Sequence, residues 1–182
     1  MADDSTTIEL SMSELREVTL YAVACARPAL VIFERACPDD RRPRDAIEVA
    51  RAFAEGARRS KAIRDNAWAA HRAAREARDA GRDAASDAAR AALAAAGAAY
   101  LHPLAKATQV KHILGAAAHA ARAFELSAGD DPSVGADHIA QSRTLTPPVV
   151  VDVLRRYPAA PPGGGRVGEL IRRLDASLRS GG

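Results

Sequence analysis

Residues 11–37 read SMSELREVTLYAVACARPALVIFERAC, a pattern that predicts an amphipathic helix. Ser11 and Glu14 match the capping box Ser-x-x-Glu, in which two side chains satisfy free backbone N–H groups at a helix start. Pro28 lies inside the stretch, and we expect it to kink the helix or split it in two. Apolar side chains recur behind the box at intervals of three and four and form one face, namely Leu15, Val18, Tyr21, Cys25, Ala29, Ile32 and Ala36.

Further segments repeat this periodicity, whereas strand signals are scarce. Aromatic residues make up only 4 % of the chain, and no stretch alternates polar and apolar side chains over a strand's length. The predicted fold class is therefore all-α, a compact multi-helix bundle of about six to eight helices in a single domain. We expect helices near residues 43–56, 60–80, 82–96, 103–126, 132–142, 146–157 and 166–182, with 103–126 as the central one.

Several residues predict where these helices begin and end. Gly97 is expected to end one helix, and Pro103 to open or kink the next. Asp131 or Ser133 can cap the following helix, because short polar side chains accept hydrogen bonds from the first backbone N–H groups. Thr146, which precedes two prolines, is expected to cap the helix after that.

Composition divides the chain into four parts. Residues 1–10 are polar and predict a disordered N-terminal tail, and residues 11–157 carry the helical domain. Residues 158–165 read PAAPPGGG, which predicts a flexible linker. Residues 166–182 have the pattern of a C-terminal amphipathic helix.

Alanine dominates the apolar residues. It accounts for 44 of the 182 residues, and all hydrophobic types together for 48 %. Burial of an alanine contributes far less than the roughly 1.5–3 kcal/mol of a larger apolar side chain, but alanine is the best helix former. We therefore expect a thin core in which helices approach one another closely.

Charge and cysteine usage exclude some classes of protein. The net charge is +3, but acidic residues are interspersed with the arginines, so nucleic-acid binding is not favoured. Cys25 and Cys37 would lie about 18 Å apart on one helix, too far for a disulfide, and two free thiols are typical of the cytoplasm. The uncharged run at residues 91–101 is too short to span a membrane.

The densest charge cluster, DDRRPRD at residues 39–45, is the first candidate site. Asp39 and Asp40 precede a first-turn proline, so the cluster can be a helix start with a solvated turn. It can also be a recognition loop, in which Arg42 and Arg44 offer bidentate donors to a partner. No second carboxylate set supports a Mg²⁺ site here.

Three histidines form the second candidate. His112 and His119 are seven residues apart, about 10.5 Å along one helix, so one metal ion cannot bridge them. They can hydrogen-bond across helices at the core boundary, or line a polar pocket together with His71. Neither a metal nor a cofactor is predicted, and no catalytic motif is present. Trp68, the only tryptophan, can pack at the core edge or anchor an interface.

The charge cluster at residues 39–45, followed by Ala46 and Ile47, resembles bacterial immunity proteins of the immunity-five-like group. The most specific motif is Asp40-x-Arg42-Pro43-x-x-Ala46-Ile47, and the similarity extends over about residues 14–155. His71 in an alanine-rich helix and His112 before Ala116–Ala118 fit the later part of the pattern. The earlier part includes Cys25, Ala26, Arg27, Leu30, Phe33, Glu34, Pro38, Ala50, Arg51, Ala52 and Gly56. The resemblance implies a helical domain that binds and neutralises a toxin.

Three hypotheses of function follow. The first is a non-enzymatic cytoplasmic protein that holds a protein partner such as a toxin, with Asp39, Asp40, Arg42 and Arg44 near the contact surface. The second is a ligand-binding protein or enzyme, which a histidine-lined pocket would favour. The third is a nucleic-acid-associated protein, which a continuous arginine stripe would favour. The sequence carries no signal for an oligomeric state.

Overall fold

The computed structural model describes residues 6–181 of the 182-residue chain. A 3-10 turn at Arg27–Ala29 contains Pro28 and joins the first two helices, so they form one kinked helix in a bundle of eight helical units. This confirms the expected all-α fold and the expected effect of Pro28. The α-helices of the described part are α1 (Met12–Ala26), α2 (Leu30–Ala36), α3 (Arg42–Ala54), α4 (Lys61–Asp79), α5 (Asp83–Ala98), α6 (Val110–Ser127), α7 (Pro132–Leu145), α8 (Pro148–Arg155) and α9 (Gly165–Ser180).

The alanine-rich helix α5 lies at the centre of the bundle. It packs against α1, α2, α3, α4 and α6, and its small side chains let these helices approach it closely. The neighbours supply the large side chains of the core, among them Val18, Phe33, Phe53, Ile63 and Ile113, each at most 2 % exposed. The expected close helix approach therefore centres on α5. The helix predicted as central at residues 103–126 is α6, which packs against α1, α2, α5, α7, α8 and α9.

The start of α6 and the predicted cap at Thr146 both need correction. Residues 103–105 do not join the helix, because they pair with the N-terminal segment. Ile8 N donates to Pro103 O at 3.0 Å and Ala105 N donates to Thr6 O at 2.9 Å. Thr146 Oγ1 donates to Ser142 O at 2.8 Å, so it closes α7 rather than opening α8.

Other predicted caps are present. The capping box of Ser11 and Glu14 is complete in both directions, and Asp131 accepts a hydrogen bond from Ser133 N at the start of α7. Gly97 lies in the last turn of α5, which ends one residue later at Ala98, so the predicted helix end is confirmed to within one residue.

The N-terminal segment is ordered where the structure describes it. Part of the predicted disordered tail, residues 1–5, lies outside the described residues. Residues 6–10 differ from the prediction, because Thr7 forms an isolated antiparallel bridge with Leu104. Ile8 and Leu10 pack against the core, and this apolar contact compensates for the cost of ordering the segment.

The predicted linker at residues 158–165 is also fixed to the bundle. Asp175 of α9 accepts a hydrogen bond from Ala160 N at 2.9 Å, and Arg172 donates to Gly163 O at 2.6 Å. Gly163, Gly164 and Gly165 all have positive φ, which explains the glycine run. The segment therefore folds back as a turn that docks α9 against α6, α7 and α8.

No helix between residues 6 and 181 has both the length and the apolar composition needed to cross a bilayer. Cys25 is buried, Cys37 is half-buried, and both thiols are free.

Candidate functional site

The charged turn, residues 39–45, comprises the residues just before α3 and the first turn of that helix, and it is held by ion pairs within the chain. Arg42 Nη2 lies 2.6 Å from Asp40 Oδ2, and Arg42 Nη1 donates to Glu76 Oε1 of α4 at 3.1 Å. Arg44 donates through Nε and Nη2 to the two carboxylate oxygens of Glu34 on α2, at 2.6 and 2.9 Å. These bidentate contacts connect α3 with α2 and α4. The turn therefore contributes to the packing of three helices.

The turn residues differ in how much charge they leave free. Hydrogen bonds from the Arg42 side chain lower the pKa of the Asp40 carboxyl, so this pair stays ionised at neutral pH. Asp40 Oδ1 also accepts a hydrogen bond from Arg42 N at 3.0 Å, as a capping residue does. Asp39 is exposed. The neighbouring Arg41 has 66 % of its side chain exposed and reaches Asp45 only at 3.4 Å.

The structure separates the three candidate histidines. His71 lies on α4 beside Trp68, with ring centroids 5.7 Å apart in an edge-on arrangement. Trp68 is 59 % exposed, so its side chain is not buried in the core. His112 and His119 lie instead on α6 and line one groove. His71 is not among the residues that line this groove, so the structure brings together only His112 and His119.

The groove lies between α5 and α6 and has a volume of about 930 Å³. Its floor contains small residues, and a methyl group built on Gly115 would lie 3.7 Å from the Ala94 Cβ. The start of α9 contributes to the lining with Arg166 and Val167. Small and apolar side chains thus alternate with charged ones along an open surface.

Five cationic and two anionic side chains line this groove. Three of the cations have no carboxylate partner within residues 6–181, namely Arg78, Arg90 and Lys111. The two anions are Asp83 and Asp87, and Asp87 Oδ1 lies 2.8 Å from His119 Nδ1. The groove therefore has an excess of positive charge that is not neutralised by internal ion pairs.

The remaining two cations of the groove belong to a buried network. The Glu125 side chain is 0 % exposed and accepts hydrogen bonds from Arg122 at 2.9 Å and from Arg166 at 2.5 Å. Burial raises the pKa of the Glu125 carboxyl, but the hydrogen bonds from Arg166 and Arg122 outweigh burial, and the pKa lies below its ordinary value. Gly135 of α7 leaves the space that this carboxylate occupies, because a Cβ there would collide with it. Glu125 thereby connects α6, α7 and the start of α9.

The charges that line the groove also affect the pKa of His112. Burial and the neighbouring Lys111 ammonium both lower the pKa of His112, so its ring is neutral at neutral pH. The described residues hold no group of three His, Cys, Asp or Glu side chains arranged to bind a metal ion. The groove can attract anionic groups through Arg90 and Lys111.

Sequence reasoning did not single out Arg90, Lys111 or Glu125. The sequence does carry a signal for Arg90. Asp83, Asp87 and Arg90 recur at intervals of four and three along an otherwise alanine-rich helix, a spacing that places them on one face. For Glu125 the signal was weaker. An acidic residue on the apolar face of α6, three residues after Arg122, favours a buried ion pair.

A known protein family matches most of the chain. The model for a family described as Imm-5 like putative immunity protein matches residues 9–146. This range contains α1 to α7 and therefore both long walls of the groove, whereas α8 and α9 lie outside it. No curated protein and no solved structure matches the chain.

Proposed function

The chain belongs to the family of Imm-5 like putative immunity proteins, and we propose on this basis that it binds and neutralises a bacterial protein toxin without catalysing a reaction. In this proposal the protein acts in the cytoplasm, where its two free thiols stay reduced. It works by covering a surface that the toxin needs.

The surface that supports this proposal best is the groove between α5 and α6. It combines charges that lack internal partners with a floor of small residues, so a partner can approach the helices closely. Its walls need little rearrangement to bind, because α5 is fixed on several sides by other helices. A preformed surface loses little conformational entropy on binding.

The turn residues Asp39, Asp40, Arg42 and Arg44 enter the proposal in a smaller role. A partner that paired with Arg42 or Arg44 would first have to displace Asp40, Glu76 or Glu34. Exposed Asp39 and its neighbour Arg41 do not carry this cost to the same degree. We therefore assign the turn a place at the rim of the contact surface.

The test is a toxicity rescue in a bacterial host. The chain is co-expressed with the product of a toxin gene that lies immediately beside its own gene, and growth is compared with that of cells expressing the toxin alone. The proposal predicts restored growth and a complex that co-purifies. Continued toxicity in the presence of well-expressed, folded chain would contradict it.

A second candidate function is binding of a small anionic ligand. The observation that favours it is the location of His112 and His119 with Arg90 in one groove, since a histidine-lined pocket is expected of a ligand-binding protein or enzyme. Thermal melting in the presence of inorganic phosphate, pyrophosphate and citrate tests this candidate. A clear rise in melting temperature with one of them, reduced in Arg90→Gln, would support it.

A further inference from the structure

The positive charges of the groove are distributed along its length rather than gathered at one point. Lys111 and Arg122 are eleven residues apart on α6, which corresponds to about 16 Å of helix. The two helices run antiparallel, because Asp87 of α5 contacts His119 of α6 while Ala94 faces Gly115. Arg90 therefore lies at an intermediate level. A single small anion could contact only part of this set.

We propose that the groove binds an acidic amphipathic α-helix of the partner protein. This inference rests on the proposed function, and it identifies the chemistry of the toxin segment that the groove recognises. Acidic side chains of that helix pair with Arg78, Arg90 and Lys111, which have no carboxylate partner within residues 6–181. The charges of the two surfaces are then complementary, which supports specificity and a fast association.

The apolar lining supports an amphipathic segment. Leu93 and Leu126 lie on α5 and α6, and Val167 and Ile171 of α9 contribute at one end. Between the walls, Gly115 and Ala94 provide a floor of small residues. The lining from Asp83 to the level of Gly97 spans about 21 Å, which is about four turns of helix.

The same lining does not favour a nucleic acid. Proteins that bind single strands combine positive charge with aromatic side chains on which bases stack. No Phe, Tyr or Trp belongs to the lining residues of this groove within the described part of the chain. The acidic Asp83 and Asp87 would also repel a phosphate backbone, whereas a peptide can place uncharged side chains beside them.

The experiment titrates the full-length chain with a defined peptide. The probe is a synthetic helix of about 14 residues, the length that fills the groove, with glutamates on one face and leucines on the other. Its fluorescently labelled form reports affinity by anisotropy, and amide chemical shifts of the labelled protein report the location. A peptide with glutamine at every glutamate position and a single-stranded oligothymidylate serve as comparison ligands.

The charge variant combines Arg78→Gln, Arg90→Gln and Lys111→Gln. We expect it to bind the acidic peptide about tenfold more weakly or worse, with a smaller salt dependence, because its groove lacks the complementary charges. Shift changes in the wild type are expected on the groove faces of α5 and α6. A second variant, Ala94→Leu, narrows the floor without changing charge and should also weaken binding.

The matched control combines Arg58→Gln, Arg75→Gln and Arg173→Gln, which remove the same net charge from exposed residues that do not line the groove. This control should bind like the wild type. Absence of peptide binding, equal weakening in both triple variants, or tighter binding of the oligothymidylate or of the glutamine peptide would each overturn the inference.

The peptide titration and the toxicity rescue fail independently. If the rescue succeeds and the peptide does not bind, the chain is an immunity protein that uses another surface. If the peptide binds in the groove and no rescue occurs, the groove recognises acidic helices but the assignment to a toxin is wrong.

Discussion

The turn before α3 and the groove between α5 and α6 both carry closely spaced charges, but they use them differently. In the turn, Arg42 and Arg44 each have carboxylates within 2.6 Å that belong to the same chain. In the groove, Arg90 and Lys111 have no such partner within residues 6–181. Charge density along a sequence therefore does not identify a binding surface. The useful distinction is between charges that the fold neutralises and charges that it leaves available.

The sharpest test of this comparison is at Glu125, where the groove itself contains a neutralised pair. Glu125→Gln removes the buried charge that holds Arg122 of α6 and Arg166 of α9. We expect it to lower the free energy of unfolding by about 1–3 kcal/mol, because the charge-assisted hydrogen bonds that both arginines donate to a fully buried carboxylate become weaker ones to a neutral amide. Urea denaturation monitored by circular dichroism measures the change.

A matched control is available on the same arginine. Glu169 pairs with Arg166 at 2.9 Å but has 59 % of its side chain exposed, so Glu169→Gln should cost less than about 0.5 kcal/mol. Equal effects of Glu125→Gln and Glu169→Gln on the free energy of unfolding would show that burial does not make the Glu125 ion pairs more stabilising than the exposed pair. The packing of α9 at the end of the groove would then not depend on Glu125.

The next largest effect is expected in the turn. Arg42→Gln removes the contacts to Asp40 and to Glu76 of α4, so it should destabilise the fold by about 1–2 kcal/mol. Arg41→Gln, at a side chain that is 66 % exposed, should change stability little. Both variants should bind the acidic peptide like the wild type. Loss of peptide binding in Arg42→Gln, with folding intact, would remove the distinction between the two regions.

A third neutralised pair provides a pH-dependent prediction. Glu14 of the α1 capping box accepts two hydrogen bonds from Arg156 at the end of α8, and the hydrogen bonds from Arg156 and Ser11 lower its pKa to about 2. Because the folded-state pKa lies below the unfolded value, the stabilisation is complete above about pH 4.5 and is lost as the pH falls towards 2.

Measurement of unfolding free energy between pH 5 and 2 should therefore show a loss of about 1 kcal/mol that Glu14→Gln removes, after allowance for the partial exposure of the pair. Arg156→Gln should remove the same pH-dependent part, since it deletes the other partner. Identical pH profiles for the wild type and both variants would be inconsistent with a stabilising pair at this end of the bundle.

Local features of the sequence were sufficient to predict much of the fold. The capping box at Ser11 and the break at Pro28 depend on neighbours within a few residues, and both are present. Thr146 was misjudged because two helix ends compete for it within a few residues, and its hydroxyl bonds back to α7. The start of α6 was misplaced because residues 103–105 pair with residues 6–8, almost a hundred positions away.

The candidate site was harder to predict for the same physical reason. The groove needs α5 and α6 to be adjacent, antiparallel and in one register, and alanine-rich helices give few sequence signals for a register. His112 and His119 were recognised as facing one side of a helix, but the partner wall with Arg90 was not. Whether an arginine is neutralised depends on a carboxylate that can lie anywhere in the chain, as Glu76 does for Arg42.

The smallest expected effect is a pKa change at His112. It tests directly whether the positive charges of the groove lack internal partners. Burial lowers the pKa of His112, and the positive charge of the adjacent Lys111 lowers it further. Lys111→Gln should therefore raise the pKa of His112 towards its ordinary value, with burial still holding it below, in a titration followed by the imidazole proton signals.

This effect on His112 requires that the Lys111 ammonium has no anionic partner, because a neutralised ammonium would exert little field on the ring. Lys61→Gln is the matched control, since Lys61 pairs with Asp65 on the exposed face of α4, and it should leave the His112 titration unchanged.

A depressed His112 pKa also means that folding disfavours its protonation, so stability decreases as the pH falls below 6.5. Lys111→Gln should make that decrease shallower. An unchanged His112 pKa would place the Lys111 charge among those that the fold already neutralises.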